Sequence, residues 1–117
     1  MPVRESWRTN RKTRLTVEQH GSGGETTVVL GGEIDLSVAA ALRESLFEAA
    51  DAARHLHVDL SKVTFLDSSG IAQLIAARKR VHGSGGSFSV TCASGLPRTT
   101  LEIVGLIEYL GVTEPET

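Results

Sequence analysis

His55-Leu56-His57-Val58-Asp59-Leu60-Ser61-Lys62-Val63-Thr64-Phe65-Leu66-Asp67-Ser68-Ser69-Gly70-Ile71-Ala72-Gln73-Leu74-Ile75-Ala76-Ala77-Arg78-Lys79-Arg80-Val81-His82 changes its period once, and the place of that change organises the chain. Leu56, Val58 and Leu60 alternate with His55, His57 and Asp59, the period of a strand with one buried face. After Phe65 and Leu66 comes Asp67-Ser68-Ser69-Gly70. Ile71, Leu74, Ile75 and Val81 then recur at helical spacing, with Gln73, Arg78, Lys79 and Arg80 off that stripe. A strand therefore hands over to a helix with two hydroxyls at its mouth. A helix N-terminus carries unpaired N–H groups and a partial positive charge, so a phosphate on either serine would suit it. Spacing alone favours a plainer assignment, with Ser68 or Ser69 as N-cap and Asp67 as a first-turn acid.

Working outward toward the N-terminus, Leu15 and Val17 alternate with polar neighbours, Gly21-Ser22-Gly23-Gly24 supplies a turn, and residues 26–30 read as a second strand, which makes an antiparallel hairpin. The glycine run is no phosphate loop, because no Gly-Lys-Ser/Thr follows it and no helical pattern begins there. Gly31-Gly32-Glu33-Ile34-Asp35-Leu36-Ser37 closes that strand, and Asp35 or Ser37 is placed to cap a helix carrying Ala41, Leu42, Leu46, Ala49 and Ala50 on one face. Glu33 and Asp35 would do acid and base work only in environments that separate their pKa values. A cap and a surface acid are the plainer roles.

Toward the C-terminus, Gly83-Ser84-Gly85-Gly86 ends the second helix, whose basic last turns suit the helix dipole. Residues 87–92 read as a strand. Ser94-Gly95-Leu96-Pro97 opens a shorter helix with Leu101 and Val104 inward and Gly105 as its stop; residues 107–110 read as an edge strand, and the chain ends in a tail. Strands that reach the next through a helix are parallel with right-handed crossovers, so the sheet is mixed.

A chain of 117 residues with 40% apolar content is one ordinary globular domain. No apolar run approaches the roughly 20 residues of a spanning helix. Residues 1–14 lack the apolar core of a signal peptide, which makes the cytoplasm the expected location. Cys92 is alone, so it has no partner for a disulfide and reads as a small core residue. Of 12 basic and 14 acidic residues, five basic and one acidic lie in residues 1–14, leaving 7 and 13 beyond. An acidic body argues against direct nucleic-acid binding.

Phe65-Leu66-Asp67-Ser68-Ser69-Gly70-Ile71, lying about 33 residues after Gly32-Glu33-Ile34-Asp35, resembles the anti-sigma factor antagonists of the STAS domain family, and the resemblance spans about residues 14–112. It implies an α/β fold: a single STAS-like domain with a mixed four- to five-stranded sheet, an N-terminal antiparallel hairpin, parallel strands joined by helices, and helices largely on one face. Residues 1–13 would be a flexible basic tail and residues 113–117 a C-terminal tail. It further implies Ser68 as phosphoacceptor and Asp35, Asp67, Ser68, Ser69, Gly70, Ile71 and Ala72 as the partner surface. The implied partners are an anti-sigma factor that is also a serine kinase supplied with ATP, and a serine phosphatase, with no cofactor, metal, nucleic acid or membrane. Unphosphorylated, such a protein captures the anti-sigma factor and frees a sigma factor. One departure is visible, since many relatives read Gly-Leu-Gly where this chain has Gly70-Ile71-Ala72.

Two other readings compete. One is a scaffold or transporter-associated STAS domain without a phosphoswitch, which the intact Asp67-Ser68-Ser69 argues against. The other is a serine hydrolase, but no Gly-x-Ser-x-Gly elbow surrounds either serine. His55 and His57 share a strand face at the end far from Ser68, His82 lies over two helical turns below it, and the first two lack evident third and fourth metal-binding partners. The chain reads as a regulator and not an enzyme.

Overall fold

A computed structural model describes residues 4–10 and 15–116. The elements run β1 (Arg4–Asn10), β2 (Leu15–Ser22), β3 (Glu25–Ile34), a 3₁₀ turn (Leu36–Val38), α1 (Ala39–Ala52), β4 (His55–Leu66), α2 (Ser68–Gly83), β5 (Ser87–Thr91), α3 (Leu96–Ile103), α4 (Ile107–Leu110) and β6 (Val112–Thr113). They form one sheet whose spatial order, β1-β2-β3-β4-β5-β6, is the chain order. The β1/β2 and β2/β3 pairs are antiparallel, and the pairs from β3 to β6 are parallel.

Local chemistry accounts for these elements. The β2–β3 hairpin turns on Gly23 and Gly24, whose φ values of 61° and 89° suit a two-residue turn that matches strand twist. Side chains then sort by a period of two. Leu15 and Val17 on β2, Val28 and Leu30 on β3, Leu56, Val58 and Leu60 on β4, and Phe88 and Val90 on β5 are all buried. They pack against Leu42, Leu46 and Ala49 of α1, Leu74, Ala77 and Val81 of α2, and Leu101 of α3. The opposite face is polar. There His55 and His57 bridge Ser87, Ser89 and Thr91 through hydrogen bonds of 2.5–2.9 Å, a side-chain ladder across β4 and β5.

Several expectations need correction. The sheet has six strands because Arg4–Asn10, read as tail, pairs with β2 from Arg4↔Gly21 to Asn10↔Leu15. Main-chain hydrogen bonds to a sheet edge need no apolar alternation, so periodicity gave no sign of this strand. The rest of the expected tail, residues 1–3 and 11–13, lies outside the described residues. Residues 107–110 are a single helical turn that buries Leu110 and ends at left-handed Gly111; the last strand is the two residues beyond it. Val104 is the C-cap of α3 and is 52% exposed, so of the two residues expected to face inward only Leu101 does, joined by Pro97 in the first turn. On α1 the buried stripe starts at Ala39, and Ala41 is exposed.

Candidate functional site

The site is built where β3 and β4 end side by side. Their ladder slips twice, between Val29 and Gly31 and between Gly32 and Glu33, and then brings Ile34 level with Leu66. Gly31, at one of these slips, lies close under its neighbours, where a Cβ would stand 2.5 Å from Thr16 Oγ1 and 3.3 Å from Lys62 Cβ. Gly32 takes the other with φ 92°. Both strands then run into an aspartate, and the Asp67 N–H donates to the Ile34 carbonyl across the gap at 3.2 Å.

Each aspartate makes the same cap. Asp35 is extended (φ −132°, ψ −172°), and its Oδ1 accepts from Ser37 N at 2.9 Å and from Ser37 Oγ at 2.5 Å. Asp67 is extended likewise (φ −109°, ψ −175°), and its Oδ1 accepts from Ser69 N at 2.9 Å, Ser69 Oγ at 2.5 Å and Gly70 N at 3.3 Å. This corrects the reading of Ser68 or Ser69 as the cap of α2 with Asp67 inside its first turn, and of Asp35 or Ser37 as the cap of α1: Asp67 is itself the N-cap of α2, and Asp35 caps the 3₁₀ turn that precedes α1, whose own N-cap is Val38. A carboxylate oxygen accepts several donors at once, which a hydroxyl does less well. The Ser69 hydroxyl, followed by the backbone N–H groups of Gly70 and Ser69, holds the Asp67 carboxyl below its ordinary range.

This arrangement separates the two serines. Ser69 is half-buried and its hydroxyl is committed to Asp67. Ser68, at the first position of α2, is exposed, and its hydroxyl makes no hydrogen bond among the described residues. Gly70 is buried, and an added Cβ would lie 2.5 Å from Ile34 Cγ2 and 2.7 Å from Leu66 Cδ1. Only hydrogen at that position lets the first turn of α2 seat on the strand ends. Ile71 is 6% exposed and joins the core, whereas Ala72 is exposed. Of the expected partner surface, Gly70 and Ile71 thus set the position of the helix, while Asp35, Asp67, Ser68, Ser69 and Ala72 present atoms outward to different extents.

Two residues were given no role by sequence reasoning. Leu36, between the capping Asp35 and Ser37, is 77% exposed, and Phe65, the strand partner of Glu33, is 40% exposed. The available signal was an apolar residue inside an Asp-x-Ser turn, where polar residues are usual. The histidines are elsewhere: His55 and His57 begin β4 while Ser68 lies past its end, and His82 is in the last turn of α2. Among the described residues no group of three His, Cys, Asp or Glu side chains is arranged to hold a metal. No helix of the described residues is long and apolar enough to cross a membrane.

Comparison with known proteins adds a family to this geometry. Residues 17–112 match the family described as "Mlab, STAS domain". The anti-sigma-F factor antagonist RsfB of Mycobacterium tuberculosis is 38% identical over 93 residues, which is 79% of this chain and 74% of the relative. The anti-sigma-B factor antagonist of Bacillus subtilis is 27% identical over 99 residues, 85% of this chain and 91% of that one. The crystal structure of an anti-sigma factor antagonist from Mycobacterium paratuberculosis superposes with a TM-score of 0.79 at 27% identity, covering 93% of this chain and 92% of the other.

Proposed function

The chain belongs to the STAS domain family, and from that premise we propose that it is a cytoplasmic anti-sigma factor antagonist switched by phosphorylation at Ser68. In the unphosphorylated state it binds an anti-sigma factor and so frees a sigma factor. That anti-sigma factor is also a serine kinase. The Ser68 Oγ attacks the γ-phosphorus of ATP held by the kinase, the bond from that phosphorus to the β,γ-bridging oxygen breaks, ADP leaves, and the hydroxyl proton passes to a base of the kinase. A serine phosphatase hydrolyses the ester and resets the switch.

The observation that carries this reading is the different state of the two hydroxyls. Ser69 Oγ donates to Asp67 at 2.5 Å, so phosphorylating it would break the cap, whereas Ser68 Oγ is exposed and uncommitted. Phosphorylation of Ser68 brings about 1.5 to 2 negative charges beside the Asp67 carboxylate, on a surface that also carries Asp35. A partner shaped for a neutral hydroxyl must then desolvate and repel that charge. The names of the relatives support the assignment to anti-sigma factor binding. The test is incubation with ATP and each kinase-like anti-sigma factor of the source organism, followed by intact mass and peptide mapping. One phosphate on Ser68, absent from Ser68→Ala, is expected. Label on Ser69, or none with any of them, would refute the reading.

A further inference from the structure

We infer that Leu36 is the apolar anchor that selects the partner engaging Ser68, a protein whose surface offers a pocket for one aliphatic side chain bordered by basic groups. The inference rests on the reading of Ser68 as the switch and adds which residue gives that contact its specificity. Leu36 and Ser68 hold the same place in two like caps. In each, an aspartate at a strand end binds the N–H and hydroxyl of the serine two residues on, at 2.9 and 2.5 Å, and the residue between faces outward. The strands bearing the caps are parallel neighbours level at Ile34 and Leu66, and the turn containing Leu36 packs against α2. Leu36 and Ser68 therefore stand on one end of the sheet.

Leu36 is not a displaced core residue. Ile34 and Val38, on either side of it, are both fully buried, and Leu36 is held 77% exposed between them by a turn whose main chain the cap has fixed. An aliphatic group presented on an ordered turn loses little further freedom on binding, which suits an anchor. Asp35 adjoins Leu36 in the chain and Asp67 follows the end of the neighbouring strand, so a complementary surface carries basic groups beside its apolar pocket. The same charges disfavour a second copy of this chain as occupant, because a self-complementary contact would bring carboxylate against carboxylate.

The probe is the anti-sigma factor of the source organism that phosphorylates the wild-type protein, titrated with wild type, Leu36→Ala, Leu36→Met and Ser68→Asp. Leu36→Ala is expected to weaken binding about tenfold or more, and Leu36→Met to stay within about threefold, as for an anchor of similar volume. Melting temperatures of both Leu36 variants are expected to match wild type. If Leu36→Ala binds like wild type while Ser68→Asp does not, the anchor is refuted and the switch stands. If Ser68→Asp also binds like wild type, or if no anti-sigma factor of the organism binds the wild-type protein, the switch fails and the anchor with it. A melting temperature for Leu36→Ala several degrees below wild type would instead make Leu36 structural and overturn the inference.

Discussion

Replacing Gly70 with alanine is a small change expected to dislodge Ser68 without touching it. The new methyl would lie 2.5 Å from Ile34 Cγ2 and 2.7 Å from Leu66 Cδ1. Carbon atoms rest about 3.5 to 4.0 Å apart, so roughly 1 Å must be recovered on two sides at once. Neither neighbour has room to give, since Ile34 is fully buried and Leu66 is 2% exposed. The first turn of α2 has to lift instead. Overpacking of this kind costs about 1 to 3 kcal/mol, and the better helix propensity of alanine returns at most about 1 kcal/mol. A net loss of about 1 to 2 kcal/mol corresponds to roughly 5 to 10 °C in melting temperature for a domain of this size. Thermal denaturation followed by circular dichroism reads that loss. The kinase assay then compares phosphorylation of Gly70→Ala with that of Lys79→Gly, an exposed site toward the other end of α2. Slower phosphorylation only in Gly70→Ala is expected. A melting temperature at or above wild type would show that the helix is not wedged against the strand ends, and the reasoning about how Ser68 is positioned would fail.

Three further outcomes follow from the same geometry. Asp67→Ala removes the α2 cap and is expected to cost about 1 kcal/mol in urea denaturation at pH 7. The folded-state carboxyl of Asp67 lies below its ordinary value, so its contribution is present above the unfolded pKa and lost as pH falls through the folded one; the gap between wild type and Asp67→Ala is therefore expected to narrow in strong acid. Burial depresses the His57 imidazole, with Asp59 and Glu25 opposing and His55 assisting. The unfolded chain thus takes up that proton first, and stability is lost as pH falls from about 6.5 toward the lower folded value; His57→Gln is expected to flatten that part of a melting-temperature profile, and an unchanged slope would contradict the assignment. Cys92 is 1% exposed and burial raises its thiol pKa, so a thiol reagent at neutral pH is expected to label it only as fast as the domain unfolds.

The joint of β4 and α2 was legible because the apolar period there changes from two to a helical one, and Ile71, Leu74 and Val81 are buried as that stripe requires. The polar face of β4 was legible in the same way. Where side chains do not carry the signal, sequence reasoning failed: β1 is held by its main-chain ladder. Residues 107–110 form an apolar run too short for its period to separate helix from strand, although Gly111 beyond them supplies the left-handed stop of a helix. At the site, the motif located the turn but did not distribute its hydrogen bonds. Whether Asp67 or a serine caps α2, and hence which hydroxyl stays uncommitted, depends on distances of a few tenths of an ångström that spacing does not encode. Leu36 was missed because exposure of a single apolar residue depends on the cap that surrounds it.

The most direct test of the switch is a calorimetric titration of the phosphorylating anti-sigma factor with two forms of the protein, one unphosphorylated and one carrying phosphate on Ser68 alone. Folding is expected to be almost unchanged, because an anion at a helix mouth is worth only about 0.3 to 1 kcal/mol, and parallel melts would register this. Binding is expected to weaken by roughly a hundredfold, about 3 kcal/mol, as the added charge meets a surface suited to a hydroxyl. Equal affinity of the two forms would contradict the account.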